Sequence, residues 1–542
     1  MSPRWRLYAC SGMRLELLEV LIVDCQACSA KGPLLEVGWG RPGDEVQARL
    51  IRLPAGERVP PAVARITGIT DRLVEDGVEP HRAWDELFAS LPCRPAPTVV
   101  HFARFEQPFF EAAQAPLDVV CTHEIARRLF PELPRRSLRA LAGYFGHGVT
   151  SLRRAAEHVE ATVVVWRSMV PLLAAEGVNT WSELQEWLAE PVDPKRRAKR
   201  AWPMPRELRL ALPDAPGLYR MLRTSGDVLY VGKATSLHHR VNSYFRKQHG
   251  IHERTLEMLS QARGLSFEVT DSPLEAALLE PDEIKRHRPP YNVALTIDDR
   301  AVWFTDPRLS RRAQHASRGC ELGPFPGEEL LEQLCAFAAS LGDAKDPTAL
   351  GRGRWGPPLE LYREGLTLVS KAHPELVEPI QPAMARILRL GARLWREGRR
   401  DRDEVEEPER REWDSALVVN GLERLALRGA LAVRRARWLT RLAESSLVWS
   451  ERGVVGARVL VISSAEFVRR APSPDAEPPI PPGHARPTRE RHANFTIAKL
   501  DRLRVLTTEL KRLVSEQHPA ALRLGPHTTL SGPRLARVLE WL

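Results

Sequence analysis

The chain has few cysteines, and they follow no pattern. Seven in 542 residues, scattered and odd in number, exclude the disulfide framework that staples small secreted domains. Cys25 and Cys28 form a lone C-x-x-C, with no second pair at zinc-ribbon spacing. No apolar stretch reaches the roughly 18–20 residues needed to cross a bilayer, so no membrane association is expected. The opening Met1-Ser2-Pro3-Arg4-Trp5 leads into no signal-peptide apolar core, and a cytoplasmic protein is expected. No internal repeat is evident.

What is present is ordinary in bulk. Hydrophobic residues make up 43% and charged residues 27%, the balance of a soluble globular protein. A length of 542 residues is too great for one core and implies roughly three or four domains. The net charge of +10 favours a polyanionic partner only slightly, because an arginine-rich composition gives the same number.

The expected architecture is α/β and multidomain. Residues 13–185 read as a mixed sheet with covering helices. Residues 17–23 form a strand-like run ending at Asp24, and residues 34–39 and 46–53 read as the next strands. Residues 159–176 have helical periodicity. Residues 186–206, with Pro191, Pro194, Pro203 and Pro205 and a basic run from Lys195 to Arg200, read as a linker. That run suits either DNA phosphates or a solvated tether. Residues 207–300 form a compact unit, and 301–344 an extension with Trp303, Gly323-Pro324-Phe325-Pro326 and a helix over 328–340. Residues 345–542 have no assigned role. They are mostly helical, with a basic amphipathic stretch over 386–402 and a small α/β unit over 415–470. Within it, strands at 446–450 and 458–462 flank Arg452-Gly453. Residues 471–487 are proline-rich, and the last segment reads as a long helix followed by a short one.

The unit at 207–300 carries a spaced polar set. It opens with Pro216-Gly217-Leu218-Tyr219-Arg220 and continues with Leu229-Tyr230-Val231-Gly232-Lys233-Ala234, Arg240 and Tyr244-Phe245-Arg246. It closes with Glu275-Ala276-Ala277-Leu278-Leu279-Glu280 and Pro290-Tyr291-Asn292. Two strands, 218–222 and 228–231, joined by a turn at 224–227 would put Tyr219 and Tyr230 side by side. A following helix would carry Arg240 and Tyr244 four apart on one face. A second helix, 274–280, would end at Glu280.

In this order the motifs resemble the GIY-YIG nuclease domain, in the version found in the UvrC and Cho excision-repair endonucleases. One departure is Pro281, where that family usually has asparagine. The resemblance implies metal-dependent cleavage of a DNA phosphodiester, with Tyr219, Tyr230, Lys233, Arg240, Tyr244, Glu280 and Asn292 as the site. Glu280 would hold Mg²⁺ or Mn²⁺ with several waters, and such an ion is a Lewis acid on the departing oxygen. Arg240 offers a donor fork suited to phosphate. Tyr219 or Tyr230 could take a proton from water if its pKa, near 10 when unperturbed, were lowered by Lys233 or the metal. Tyr244 would add a hydrogen bond, and Asn292 would orient the groups around it. Asp298-Asp299 and the Gly323 segment resemble the stretch that follows this domain in UvrC.

Residues 20–170 resemble the DnaQ-type (DEDDh) exonucleases, an RNase H-like fold. The resemblance rests on Ile22-Val23-Asp24-Cys25-Gln26, Thr67-Gly68-Ile69-Thr70, His101-Phe102-Ala103-Arg104-Phe105-Glu106 and residues 153–162. That family holds two metals on four acids and uses a histidine base. Here Asp24 matches the first acid and Gln26 replaces the second. Glu106 replaces an aspartate, Arg153 takes the histidine position, and His158 takes the last aspartate position. Amide and guanidinium groups cannot supply the missing negative charge, so exonuclease activity is expected to be lost. Two alternatives stay open: Asp24, Glu106 and His158 around one softer metal such as Mn²⁺ or Zn²⁺, or a domain kept for binding DNA ends or partners.

The expectation for the whole is a Cho/UvrC-like endonuclease that nicks one DNA strand in excision repair, with UvrA/UvrB-type damage-recognition proteins as partners. The competing readings are a 3′–5′ exonuclease or proofreading subunit, and a non-catalytic scaffold on DNA.

Overall fold

Near the N-terminus an apolar run forms β1 (Leu21–Ala27), buried at every position but Gln26, as a central strand covered on both faces must be. It starts at Leu21, four residues later than the apolar run suggested, because Leu17 points into solvent. With β2 (Leu34–Gly40) and β3 (Gln47–Leu50) it makes an antiparallel meander. β4 (Ala96–Val100) and β5 (Leu117–Cys121) then add in parallel on the other side, giving the order β3-β2-β1-β4-β5. This is the RNase H-like exonuclease topology. The helix Ala155–Ala175 lies on one face, where Val159, Trp166 and Leu173 pack with Ile22, Val99 and Val120. On the other face Leu21, Val23 and Val37 pack with Trp84, Leu87 and Phe109.

The structure is a computed structural model. It describes residues 12–91, 93–148, 151–191, 200–246, 250–292, 301–341, 357–378, 383–399, 414–451, 456–470, 477–482 and 495–542. The basic run through Lys199, Asp298-Asp299, Arg452-Gly453 and much of the proline-rich 471–487 segment lie outside the described residues.

The small central domain is built on β6 (Gly217–Leu222), β7 (Val228–Ala234) and β8 (Gly264–Val269), in the order β7-β6-β8. Arg223 N–H donates to Asp227 O (3.0 Å) to close the first hairpin, and Gly226 takes φ +89°, which a side chain would resist. The helices Leu237–Arg246 and Glu253–Gln261 supply Leu237, Val241, Phe245 and Leu259 to its core.

The chain divides into two compact units. The first is Met1–Val269 with Arg286–Val293, so the exonuclease fold and the central sheet share one body. The expected linker is shorter than 186–206, because the helix Trp181–Ala189, opened by a Thr180/Glu183 capping box, occupies its start.

The second unit is Thr270–Lys285 with Ala294–Leu542. It holds β9 (Trp303–Thr305), β10 (Arg312–Ala313) and β11 (Leu322–Phe325) in one small sheet. A second, antiparallel sheet contains β12 (Ser445–Trp449), β13 (Arg458–Ser463), β14 (Glu466–Arg470), β15 (Ala520–Arg523) and β16 (Thr529–Ser531). Its order is β14-β13-β12-β15-β16. The C-terminal segment is therefore not just two helices, because β15 and β16 separate Ile497–Ser515 from Gly532–Glu540. The basic stretch forms the helix Ala383–Arg396.

Another difference concerns the helix bearing Glu280. It does not end at that carboxylate but runs Pro273–His287 through Pro281. Proline forfeits one backbone hydrogen bond, while Pro281 and Ile284 are buried and Lys285 reaches the buried Asp501 (3.0 Å). Arg502 also grips Asp282 (2.8 Å). Packing overrides the local preference. No described helix is long and apolar enough to cross a membrane.

Candidate active site

Pairing of β6 with β7 sets Tyr219 opposite Gly232 and Met221 opposite Tyr230. Strand alternation then puts both phenols on one face of the hairpin, with ring centroids 6.0 Å apart. Gly232 is required there: a Cβ would stand 2.5 Å from the Tyr219 hydroxyl and 2.8 Å from the Tyr230 ring. Tyr244, from the helix Leu237–Arg246, joins them at 6.3 and 6.4 Å. Its hydroxyl is 2.9 Å from that of Tyr219. One turn earlier, the exposed Arg240 donates to the Tyr244 hydroxyl (3.3 Å) and stacks over its ring (5.2 Å). The structure thus brings together Tyr219, Tyr230, Arg240 and Tyr244.

The two candidate bases are not equivalent. Tyr219 is fully buried, and burial, with Tyr244 and Tyr230 beside it, holds its hydroxyl well above the ordinary phenol range despite the opposing pull of Arg240. Tyr230 is half-buried on the same face. Lys233 is half-buried and, by alternation, leaves β7 on the face opposite Tyr230. Arg240 is hydrogen-bonded within the phenol cluster.

Asn292 acts on backbone. Its Oδ1 accepts from Val231 N–H (3.0 Å) and its Nδ2 donates to Val231 O (2.9 Å), imitating a strand along the free edge of β7. Glu280 lies half-buried on the helix Pro273–His287 in the second unit. The other carboxylate of that motif, Glu275, caps the helix by accepting from Asp271 N–H (3.0 Å), while Ser272 Oγ accepts from Glu275 N–H (3.2 Å).

The residues that took over the exonuclease positions also converge, but on one another. His158 Nδ1 is 3.0 Å from Asp24 Oδ1, and Gln26 Nε2 donates to Asp24 Oδ2 (2.8 Å). Burial alone would lower the His158 pKa, but the Asp24 carboxylate and its hydrogen bond outweigh this and leave it raised. Glu106 is buried at 2% exposure. Desolvation first, then Asp24, pushes its carboxyl well above the usual range. Burial, with His123 and His158 close by, pushes His101 down to about 3, so it stays neutral. Arg153 is exposed, not aimed inward. Among the described residues no three His, Cys, Asp or Glu side chains form a metal-holding group.

Comparison with known families bears on both halves. Residues 215–293 match the model of the UvrC-like GIY-YIG domain. That segment is a GIY-YIG domain of the UvrC type. A Mycobacterium tuberculosis protein whose name describes a bifunctional exonuclease/endonuclease is 32% identical over 301 residues, covering 52% of this chain and 44% of that protein. UvrABC system protein C of Psychrobacter arcticus is 44% identical over 124 residues, 21% of this chain and 20% of that protein. The chain thus matches less than half the length of either relative. The GIY-YIG domain of Thermotoga maritima UvrC, solved with magnesium, is 35% identical over 16% of this chain and 94% of that chain, with a TM-score of 0.15. The fusion of an exonuclease fold to a UvrC-type GIY-YIG domain matches the architecture expected from sequence.

Arg139, stacked over Tyr291, and Gln261, which donates to the Tyr291 hydroxyl, carry no sequence signature. Tyr291 had one: it directly precedes Asn292.

Proposed function

We propose that this chain is a divalent-metal-dependent DNA endonuclease that nicks one strand in nucleotide excision repair, and that its exonuclease fold no longer trims DNA. The observation that carries this reading is the cluster of Tyr219, Tyr230, Tyr244 and Arg240 inside a UvrC-type GIY-YIG domain. Arg240 binds the phosphate flanking the cut, as its exposed donor fork suits. Tyr230, acting as its phenolate, takes the proton from the attacking water and is left as the neutral phenol, while its neighbour Tyr219 is buried and holds its own proton. Tyr219 and Tyr244 keep the phenol cluster in register through their shared hydrogen bond. Lys233 adds positive charge near the end of β7, and Asn292 holds the strand that bears Tyr230.

Glu280 fits a Mg²⁺ or Mn²⁺ ion through its half-buried carboxylate, with waters completing the shell. When bound, such an ion stabilises charge on the departing oxygen. Loss of exonuclease action is supported by the His158–Asp24 pair: an imidazole stands where that fold would have an acid to hold metal. Proteins of the UvrA/UvrB type are the proposed partners that deliver damaged DNA, in a cytoplasmic setting.

The test is conversion of UV-irradiated supercoiled plasmid to nicked circles by the full chain with Mg²⁺ or Mn²⁺, alone and with UvrA- and UvrB-type proteins. Nicking that EDTA abolishes is expected. Intact plasmid under every condition would sink the reading.

A further inference from the structure

The exonuclease fold does not merely precede the GIY-YIG sheet; it grips it. Arg139, on the helix Leu138–Tyr144 of the exonuclease fold, lies over the ring of Tyr291 with its guanidinium carbon 4.6 Å from the centroid. Its Nη2 donates to Pro290 O (3.4 Å) and its Nε stands 3.5 Å from Glu257 Oε1. The same fold adds Ser137 Oγ donating to Glu257 Oε2 (2.9 Å) and Arg135 N–H donating to Ser260 Oγ (2.9 Å). Gly143 abuts Gln261 so closely that a Cβ would lie 1.8 Å from its Oε1. The seam is therefore fitted, with no room for one methyl group.

The gripped residues lead to the site. Tyr291 is buried and donates its hydroxyl to Glu257 (2.7 Å), while Gln261 donates to the same hydroxyl. Its backbone N–H donates to Leu229 O (3.2 Å), and the adjacent Asn292 holds Val231 at both N–H and O. Tyr230 lies between these two points. A strand edge fixed on both sides of one residue fixes the direction of that side chain, and cleavage rates are sensitive to ångström-scale misplacement of a reacting group.

We infer that Arg139 is a positioning residue: through Tyr291 and Asn292 it holds the Leu229–Val231 edge, so the exonuclease fold, its own site closed, sets the aim of Tyr230. The inference rests on the nuclease reading for its effect on rate, but not for its mechanical part.

Hydrogen–deuterium exchange across β7, single-turnover cleavage and DNA affinity are to be measured on the full chain carrying Arg139→Ala, Arg139→Lys or Gly143→Ala. Arg139→Ala and Gly143→Ala should speed exchange at Val231. Both should slow cleavage by about tenfold while DNA affinity stays at the wild-type value. Arg139→Lys, which keeps a cation over Tyr291, should recover part of the rate; should Arg139→Ala not fold, Gly143→Ala and Arg139→Lys carry the same readouts. Unchanged exchange in folded variants overturns the inference. A rate loss without faster exchange also overturns it, because Arg139 would then act on DNA directly. Faster exchange in a protein that never cuts DNA upholds the clamp and sinks the nuclease reading alone.

Discussion

The two nuclease-type sites in this chain have kept different things. The exonuclease fold has kept its scaffold: in β1, Ile22 is sealed beneath the helix Ala155–Ala175, and Leu21 and Val23 are sealed on the other face against Trp84 and Leu87. Its polar positions have closed on themselves, with His158 on Asp24 and Gln26 bridging. The GIY-YIG domain has kept the reverse emphasis. Its sheet is small, yet its phenols and guanidinium face a common point and Arg240 stays open to solvent. The difference teaches that a fold and its chemistry are lost separately. Apolar burial holds the first whatever the acids become. The second needs particular charges, and here His158 and Gln26 bond to Asp24 at positions where that fold would need acids.

Several substitutions would break or sharpen that contrast. The largest effect is expected from Glu280→Gln, which removes the one carboxylate assigned to metal. Nicking should fall by several kcal/mol of barrier, on the order of 10³-fold, with DNA binding intact. Next come Arg240→Ala and Tyr230→Phe, each about 10²-fold in single-turnover rate. Tyr219→Phe loses one hydrogen bond to Tyr244, about 1 kcal/mol or roughly fivefold. A Tyr219→Phe loss as great as that of Tyr230→Phe would reverse the assignment of the base.

An effect on stability rather than rate should appear when charge is restored to the closed site. In a Glu280→Gln background, adding Gln26→Glu and His158→Asp should make thermal stability depend on Mn²⁺. The gain is about 3 kcal/mol at a hundredfold excess over Kd, whereas the background protein shows none. Equal Mn²⁺ stabilisation of both would mean that the closed site still takes metal.

A further effect concerns pH. The folded pKa of His158 is raised above its ordinary value by Asp24. Its contribution to stability is thus complete below about pH 6.5 and is lost as pH rises through the raised value. The difference in urea-unfolding stability between wild type and His158→Asn should therefore be larger near pH 5.5 than near pH 9. A gap that widens with pH would place the stabilising proton on another group.

Much of this contrast was legible in the sequence because it depends on short spacings. Tyr219 and Tyr230 meet because a short turn joins their strands, and Arg240 meets Tyr244 because they lie one helical turn apart. Gln26 and His158 announced the loss of acids by identity alone. The helix beyond Glu280 was hidden because Pro281 argues for a stop, while the packing that carries the helix onward comes from Asp501 and Arg502, more than two hundred residues away. β15 and β16 were hidden because they are short, and only Leu522 is buried in them. The raised pKa of Tyr219 and the grip of Arg139 on Tyr291 are consequences of tertiary burial, which no spacing encodes.

The central claim is that one of the two sites cuts and the other does not. It is tested most directly by product analysis on a lesion-bearing duplex labelled at either end, treated with wild type, Glu280→Gln and Asp24→Asn in Mg²⁺. The account predicts one discrete internal cut that is lost in Glu280→Gln and unchanged in Asp24→Asn. A ladder of 3′-shortened strands that survives Glu280→Gln and vanishes with Asp24→Asn would contradict it.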